Sequence, residues 1–459
     1  MNVISNARFD TVGARLDRLP IAGFHHKLLW LVGLGMFFDT FDIYLAGGVI
    51  AAMTQEGFTN VDLNAIFISV TFLGMTVGAF LAGMFGDYFG RKFTYQFNLL
   101  IVGIASLAAA LAPSMIWLIV FRGIMGLGLG AEIVIGFGTL TEFVPARSRG
   151  KWLSALSFIN NSSLVVASGI GYWVIPILGW RYMFVIVGIG ALIVLYFRKA
   201  IPESPRWYKS RGMHEEAEKV LLSIENQIET EKGAPLPKVN PAASAGSEIM
   251  GEKSSIWELF TPPLLRNTIV SCLIFVALSV AMYVFVVWLP SIFLKQGVAL
   301  SNSLGYVAII SLGGPIGSAF GFFIADRFSR KWTSIGLALF CALLGYLYSA
   351  VAVVNISVLL VLGFLLIAGM YAYNAIAFAL YVPELFPTRL RMRGCGIANT
   401  AGRLFTIFTP FAVAFLLTHY SAKPVFLIIP LVFVIDAVCI AIWGIETGAK
   451  SLEEIELVD

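Results

Sequence analysis

Leu28 to Met53 reads LLWLVGLGMFFDTFDIYLAGGVIAAM, and this run sets the fold class. It is long enough for an α-helix that crosses a bilayer, which takes about 20 residues. Its only charges, Asp39 and Asp42, lie three residues apart, so a helix places them on one face. A carboxylate at membrane depth costs about 3 kcal/mol or more unless it is paired, protonated or hydrated. The run therefore predicts a membrane helix with an ion- or proton-linked function.

The composition extends this pattern to the whole chain. Of the 459 residues, 58% are hydrophobic and 13% are charged, whereas soluble domains carry about 25% charged residues. Twelve apolar segments are long enough to cross a membrane. They lie at about 28–53, 64–85, 93–112, 115–140, 153–175, 180–198, 267–292, 303–325, 332–352, 356–382, 395–418 and 424–444. These segments predict an all-α membrane protein with twelve transmembrane helices and both termini on one side.

The distribution of lysine and arginine predicts which side that is. Arg122 and Arg403 lie within predicted helices, and the loops on one side hold only Arg181, Lys295 and Lys423, which leaves 26 of the 31 basic residues on the side of the termini. Because cytoplasmic loops are rich in Lys and Arg, we expect both termini in the cytoplasm and a multi-pass location in the cell (inner) membrane. The net charge of +4 then reflects topology, and no nucleic-acid partner is expected.

The same pattern divides the chain into five segments. Within the longest polar segment, Met213 to Thr230 has apolar residues at helical spacing. Gly233 to Ser255 is rich in Pro, Ala, Ser and Gly and is typical of a flexible linker. The predicted segments are a cytoplasmic arm (1–27), a six-helix half (28–198), a cytoplasmic loop with a short helix and the linker (199–266), a second six-helix half (267–444) and a cytoplasmic tail (445–459).

Two motifs occur once in each half. GMFGDYFGRK follows predicted helix 2 and FFIADRFSRK follows predicted helix 8, and their aspartates, Asp87 and Asp326, are 239 residues apart. Glu142, after helix 4, and Glu384, at the end of helix 10, are 242 residues apart. Such repetition indicates a duplicated six-helix unit. Parallel repeats of this kind place the substrate site near the membrane midplane, between the halves.

These motifs resemble those of the major facilitator superfamily over the whole chain. The loop from Gly83 to Lys92 resembles the superfamily signature between helices 2 and 3. Three further stretches resemble the sugar-porter and organic-ion branch, which also includes aromatic acid and metabolite–proton symporters. They are Pro202 to Trp207 (PESPRW), Pro383-Glu384 with the arginines that follow, and Arg122 with the glycines after it. The short connection between helices 1 and 2 is similar to that of prokaryotic members.

The resemblance implies a set of residues that latch the cytoplasmic ends of the helices. Glycines let helix ends approach each other, and an acidic and a basic side chain can form a charge-assisted hydrogen bond there. Such a bond would hold one state of the transport cycle closed. The expected latch residues are Gly83, Asp87, Gly90, Arg91, Lys92, Asp326, Arg330, Glu142, Arg149, Glu384 and Arg393.

Charged residues within the helices are candidates for proton coupling. Asp39, Asp42, Glu132 and Arg122 are the residues expected to take part, because intramembrane charges are expensive and usually functional. The spacing of the aspartates matches the Asp-Gly-x-Asp signature of aromatic acid–proton symporters, except that Thr40 replaces the glycine. For each residue, a structural pair or cap is the alternative. Asp436 lies in helix 12, which the family fold places at the periphery, so a structural role is favoured there.

Arg403 is the candidate for substrate contact because it lies near the middle of helix 11. In organic anion carriers of this branch an arginine at a similar place is associated with anion binding. The alternative is a salt bridge from Arg403 to Asp39, Asp42 or Glu132 that holds the halves together and that a substrate carboxylate could break. Polar and aromatic residues expected beside the substrate are Tyr283, Trp288, Tyr371, Tyr373, Asn374, Phe38 and Asn161.

The sequence thus predicts a monomeric secondary active transporter that moves a small organic anion together with protons by alternating access. An aromatic or heteroaromatic carboxylate would suit the residues above. The alternatives are a sugar, polyol or organic cation carrier of the same superfamily, or a non-transporting membrane sensor. No nucleophile–base set, metal-ligand spacing or phosphate-binding loop occurs in the sequence. We therefore expect neither an enzyme nor a cofactor, and the expected partners are the small-molecule substrate, protons and the lipid bilayer.

Overall fold

The computed structural model describes residues 12–239, 255–324, 327–351, 355–387 and 390–447. Almost all of them are helical, and twelve helices are long and apolar enough to cross a membrane. This confirms the predicted all-α membrane fold. Helices 1 to 6 are Gly23–Gln55, Val61–Phe89, Arg91–Ala110, Met115–Phe143, Arg149–Leu178 and Arg181–Arg198. Helices 7 to 12 are Pro262–Lys295, Leu300–Ser311 with Gly313–Ile324, Arg330–Val351, Ile356–Tyr373 with the segments Asn374–Tyr381 and Val382–Glu384, Arg391–His419 and Ala422–Trp443.

Many helices extend beyond the apolar runs that predict them. Helix 1 begins at Gly23, five residues before Leu28, and helix 2 ends only at Phe89. The Asn60 side chain starts helix 2 by accepting a hydrogen bond from the Leu63 N–H, 2.9 Å away. Gly90 separates helices 2 and 3 with a φ of 96°, a backbone conformation that favours glycine. Helix ends are set by such caps and turns, which hydropathy does not report.

Two short helices pack together at the end of the bundle where helix 1 begins and helix 6 ends. We name them the arm helix (Val12–Asp17) and the loop helix (His214–Lys232), and we name this end of the bundle the loop face. Arg15 of the arm helix forms ion pairs with Glu218 and Glu225 of the loop helix, at 2.7 and 2.6 Å. The predicted linker falls largely on residues 240–254, which lie outside the described residues.

Glycines bring helices 2 and 4, and equally helices 8 and 10, into backbone contact. A Cβ atom at Gly78 would lie 1.9 Å from the Leu127 carbonyl oxygen, and one at Gly317 would lie 2.0 Å from the Ala368 carbonyl oxygen. These two glycines are 239 residues apart (317 minus 78), the same offset that separates the repeated aspartates. The duplicated sequence therefore forms the same helix contact in each half.

The two halves meet most extensively along three pairs of helices: 1 with 7, 2 with 11, and 5 with 8. Gly47 of helix 1 packs directly on helix 7, because a Cβ atom there would lie 2.8 Å from the Val287 carbonyl oxygen. Gly305 of helix 8 lies against the Tyr172 ring of helix 5 in the same way. Helix 1 thus belongs to the N-terminal half but also forms part of the boundary between the halves.

The glycine contacts predict a position-specific loss of stability. Gly130→Ala in helix 4 is expected to lower the free energy of unfolding by about 1 to 3 kcal/mol, because the new methyl group would meet backbone of helix 2. A Cβ atom at residue 130 would lie 1.9 Å from the Met75 carbonyl oxygen. Gly138→Ala in the same helix is the matched control, since nothing lies within 4 Å of that position. Thermal unfolding in detergent measures both, and equal midpoints for the two variants would contradict the prediction.

Candidate functional site

Five charged side chains lie buried together in the N-terminal half, each no more than 1% exposed. Helix 1 contributes Asp39 and Asp42, helix 4 contributes Arg122 and Glu132, and helix 6 ends at Arg198. Three carboxyl groups therefore share two guanidinium groups. The pairing among them determines which carboxyl group remains available for chemistry.

Asp42 is paired with Arg122. The Arg122 Nη1 donates to Asp42 Oδ2, and its Nη2 donates to the Asp42 backbone carbonyl oxygen at 2.9 Å. The guanidinium group also lies 5.1 Å from the centre of the Phe67 ring, in a cation–π position. These contacts fix Arg122 against helix 1 and compensate the charge of Asp42.

Glu132 is paired with Arg198, whose Nη1 lies 2.7 Å from Glu132 Oε1. Arg198 also donates to the Val32 carbonyl oxygen at 2.9 Å and to the Tyr95 hydroxyl at 2.6 Å. The pair fits because residue 35 is glycine: a Cβ atom there would lie 1.9 Å from Arg198 Nη2. Sequence reasoning missed Arg198, which it counted with the loop arginines. The available signal was the unpaired Glu132 in helix 4, which required a basic partner.

Asp39 is the carboxyl group that remains. Neither of its oxygens has a hydrogen-bond partner among the described residues. The charges that act on it most are those of Glu132, Arg198 and Asp42. Because an unpaired ion in an apolar interior costs several kcal/mol whereas a neutral carboxylic acid costs far less, this site can hold a proton or accept a cationic partner.

Thr40, between the two aspartates, joins helix 1 to helix 5. Its hydroxyl hydrogen-bonds with the Asn160 side chain and also lies 2.7 Å from the Met36 carbonyl oxygen. The threonine that replaces the glycine of the aromatic-acid signature therefore has a packing role here. Asn161, the neighbouring residue that the sequence places beside the substrate, is half-buried.

Arg403 is not paired with the buried carboxyl groups of the N-terminal half. Its Nε donates to the Asn399 side-chain oxygen at 2.8 Å, one turn earlier in helix 11. No carboxylate of the described residues forms an ion pair with it: Asp42 pairs with Arg122, Glu132 pairs with Arg198, and Asp39 has no hydrogen-bond partner. This corrects the alternative in which Arg403 bridges the halves through one of those acids.

Aromatic side chains connect the halves at the depth of the buried charges. The Tyr44 hydroxyl in helix 1 lies 3.1 Å from the Tyr371 hydroxyl in helix 10. The Tyr283 ring in helix 7 lies 4.4 Å, centre to centre, from the Phe72 ring in helix 2. Tyr283 also lies near Arg403 of helix 11. Sequence reasoning named Tyr283 and Tyr371 but missed Tyr44, although it follows Asp42 by two residues.

Two residues expected beside the substrate face other helices instead. The Tyr373 hydroxyl donates to Asp436, and its ring packs on Phe433, so the side chain points to helix 12. Phe38 packs against Gly190 of helix 6. Both are corrections to the expected site: the side chains lie on the outward sides of helices 10 and 1, away from the boundary between the halves.

Trp288 and Asn374 lie in contrasting surroundings. Trp288 is 2% exposed and packs among apolar side chains of the hydrophobic core. Asn374 is half-buried and begins the π-helical segment Asn374–Tyr381 of helix 10. Because π-helical turns are rare and frequent at functional sites, Asn374 is the better placed of the two.

The expected latch residues form equivalent contacts in the two halves. Arg91 Nε lies 3.1 Å from Glu142 Oε1, and Arg330 Nε lies 3.6 Å from Glu384 Oε2. The first contact joins helix 3 to helix 4, and the second joins helix 9 to helix 10. Arg149 and Arg393 lie in the first turns of helices 5 and 11. Asp326, the surroundings of Gly83 and the side chain of Asp87 lie outside what the structure describes.

Glu203 of the PESPRW stretch caps helix 3, a role that sequence reasoning missed. Its two carboxylate oxygens accept hydrogen bonds from the backbone N–H groups of Arg91 and Lys92, both at 3.0 Å. Burial raises the pKa of Glu203, and the N–H donors of Ser204, Lys92 and Arg91 act in the opposite direction. The stretch therefore contacts the loop between helices 2 and 3 directly.

The buried pair of Asp42 with Arg122 and the partly exposed pair of Glu142 with Arg91 are expected to differ in how much stability is lost when each is broken. Asp42→Asn is expected to lower the free energy of unfolding by about 3 to 5 kcal/mol, because it leaves Arg122 buried without an anion. Glu142→Gln is the matched control: its pair with Arg91 is partly exposed, and such pairs contribute about 1 kcal/mol or less. Chemical denaturation in detergent measures both. The double variant Asp42→Leu/Arg122→Met should recover most of the loss, and a larger loss in Glu142→Gln would contradict the assignment.

Comparisons with known proteins agree with this architecture. A family model described as "Sugar (and other) transporter" matches residues 30–458. The inner membrane metabolite transport protein YdjE of Escherichia coli is 40% identical over 98% of this chain and 100% of that protein. The niacin transporter NiaP of Acinetobacter baylyi is 32% identical over 97% of this chain and 99% of that protein.

A solved structure shares the fold. The partially occluded inward-open conformation of the xylose transporter XylE from E. coli matches with a TM-score of 0.76 and 19% identity, over 94% of this chain and 100% of that one. The chain is therefore a multi-pass membrane transporter and not an enzyme. It belongs to the sugar (and other) transporter family of the major facilitator superfamily.

Proposed function

We propose that this transporter moves a small organic anion together with protons, by alternating access, and that the anion is an aromatic or heteroaromatic carboxylate. The observation that carries the proposal is an imbalance of charge within the membrane helices. Among the described residues, the buried Asp39 carboxyl group of helix 1 has no partner, and the half-buried Arg403 guanidinium group of helix 11 has no acid. The Asp39 carboxyl group can bind a proton, and the Arg403 guanidinium group can bind the carboxylate of a substrate.

Asp39 is the proposed proton site. Asp42 and Glu132 each have a guanidinium partner, so their charges are compensated without a proton. Asp39 has only its position near Arg198, which is already engaged by Glu132, Tyr95 and backbone. Binding of a proton would remove the uncompensated charge. Arg122, Glu132 and Arg198 then serve to hold the site in place and to set its electrostatic surroundings.

Arg403 is the proposed anion site. Among the described residues only Asn399 accepts a side-chain hydrogen bond from its guanidinium group, which leaves donors for a carboxylate. Tyr283 lies near Arg403 and its ring packs against Phe72, and the Tyr44 and Tyr371 hydroxyls add polar groups at the boundary between the halves. An arginine beside polar-tipped aromatic rings suits a flat carboxylate. The relative NiaP is named a niacin transporter, and niacin is an aromatic carboxylate.

The coupling that we propose runs through helix 1. Asp39 and Arg403 lie in different halves and are not paired, so direct competition between proton and substrate for one bond does not explain coupling. Tyr44 lies five residues after Asp39 in the same helix and contacts Tyr371 of the opposite half. A change of charge at Asp39 can therefore alter how helix 1 packs across the boundary where the substrate would bind.

The orientation is part of the proposal. We propose that both termini and the loop face are cytoplasmic, that the protein acts as a monomer, and that it resides in the inner membrane of a bacterial cell. The excess of lysine and arginine on that side of the predicted topology supports the orientation. The inner-membrane protein YdjE, which is similar along the whole chain, supports the location.

A sugar or polyol carrier is the second candidate, favoured by the description of the family. A neutral substrate would leave Arg403 without an anion. Thermal-shift measurements with nicotinate, benzoates, pentoses and hexoses separate the two, since a ligand stabilises the fold that binds it. Stabilisation by sugars alone would favour this second candidate.

Asp39→Asn is expected to abolish accumulation driven by a pH gradient while preserving exchange of substrate across the membrane, because asparagine mimics the protonated acid and cannot release a proton. Proteoliposomes with labelled nicotinate, or with whichever carboxylate stabilises the protein, measure both activities. Asp436→Asn is the matched control, because Asp436 is an equally buried acid in helix 12. Undiminished gradient-driven accumulation in Asp39→Asn would refute the proton role.

Arg403→Ala is expected to weaken carboxylate binding about 10- to 100-fold, since a charge-assisted hydrogen bond contributes about 1.5 to 3 kcal/mol. Arg403→Lys keeps the positive charge but loses the planar guanidinium group with its paired N–H donors. We therefore expect a loss of carboxylate affinity smaller than that in Arg403→Ala. Lys423→Ala, at an exposed position in the first turn of helix 12, is the control for removal of a positive charge. Equilibrium binding of labelled carboxylate to purified protein is the measurement, and unchanged affinity in Arg403→Ala would exclude this residue from the anion site.

A further inference from the structure

A groove of about 280 Å³ lies at the loop face, outside the site described above. It is bounded by the start of helix 1, the chain that follows helix 6, and the loop helix. Its volume is close to the lower end of the range for small-molecule sites, about 300 Å³. The groove can therefore hold a ligand of the size of a lipid headgroup but not a whole lipid.

The groove has an apolar floor and a basic rim. Leu28, Leu31 and Ile201 line it from the transmembrane half, and Val220 lines it from the loop helix. Lys27 lies at the helix 1 edge. Lys219 lies at the loop helix edge, with Ser223 and Gln227 on the following turns. None of the described residues that line the groove is acidic. The lining therefore complements an anion attached to an apolar group.

Three acids of the loop helix are engaged in contacts with the arm helix or the start of helix 1. Glu218 and Glu225 pair with Arg15 of the arm helix, and Glu231 accepts a hydrogen bond from the Gly23 N–H at 2.7 Å. Lys219, by contrast, has no hydrogen-bond or ion-pair partner among the described residues, and the same holds for Lys27. Glu218 and Glu225 thus lie toward the arm helix, whereas Lys219 lies at the groove.

The surrounding surface places the groove at the level of the lipid headgroups. Trp30 is 56% exposed and lies one turn after Lys27 on the same side of helix 1. Tyr196, near the end of helix 6, is 67% exposed, and the Lys199 ammonium group lies 5.6 Å from the centre of its ring. Exposed Trp and Tyr side chains flanked by lysine mark the boundary between hydrocarbon and headgroups. An anionic lipid can therefore reach the groove from the membrane.

We propose that this groove binds the headgroup of an anionic phospholipid. Lys27 and Lys219 contact the phosphate from opposite sides, the Ser223 hydroxyl donates to it, and the first carbons of the acyl chains lie on the half-buried Leu31. Basic pockets beside membrane helices recognise such headgroups by this combination of charge and apolar surface. The bound lipid connects the loop helix to helix 1.

The test is lipid binding to the purified full-length protein in detergent, followed by native mass spectrometry and thermal unfolding. The probes are phosphatidylglycerol, phosphatidylethanolamine with the same acyl chains, and inorganic phosphate. We expect phosphatidylglycerol to bind and to raise the unfolding temperature, and the other two to have little effect. Lys27→Gln/Lys219→Gln should weaken phosphatidylglycerol binding about 30-fold.

Two further variants make the result specific. Lys151→Gln/Lys232→Gln removes the same charge from exposed positions at the loop face and should bind like the wild type. Ser223→Phe fills the groove without changing its charge and should reduce binding as the double lysine variant does. The proposal is overturned if phosphatidylethanolamine binds equally well, if inorganic phosphate stabilises as strongly as the lipid, or if the control pair loses as much affinity as Lys27→Gln/Lys219→Gln.

Discussion

The energetic cost of charge inside an apolar helix bundle determines how the N-terminal half is built. Three acids and two arginines lie buried in helices 1, 4 and 6, and each arginine is held by one acid and by backbone oxygens. Removing either arginine would leave an ion that the bundle cannot solvate. The positions of three helices therefore depend on these two pairs, and small residues such as Gly35 exist where the pairs need room. Asp39 is the acid that neither arginine pairs with, and it is therefore the buried group that can bind a proton.

The fold could be predicted from the sequence more completely than the candidate functional site. Membrane helices satisfy their own backbone hydrogen bonds, so the length and polarity of each run report them locally. The duplicated motifs gave the two halves, and the glycines at the same offset of 239 residues form equivalent helix contacts. The π-helical segment of helix 10 and the helix ends depend on local hydrogen bonding and were not visible in hydropathy.

The partners of the charged residues depend on how each helix is rotated, and this explains what the sequence left undetermined. Asp42, Glu132 and Arg122 were recognised because charge in an apolar run is conspicuous, but Arg198 was not, since it ends its helix beside other basic residues. Phe38 and Tyr373 lie on helices of the boundary between the halves and yet face outward, toward helices 6 and 12. A helix position can be predicted from an apolar run, whereas the direction of a side chain requires the packing of its neighbours.

Helix 1 connects the features on which transport would depend. Along its 33 residues it carries Lys27 at the proposed lipid groove, Asp39 at the buried charges, Tyr44 against helix 10 and Gly47 against helix 7. At Gly47, helix 1 lies against the backbone of helix 7, and the Tyr44 contact with Tyr371 is a single hydrogen bond that a shift of helix 1 would break. Rigid helices transmit small displacements along their length. On the proposed function, protonation of Asp39 changes the charge at the centre of helix 1. This change can alter the nearby contacts of Tyr44 with Tyr371 and of Gly47 with Val287, which join the two halves.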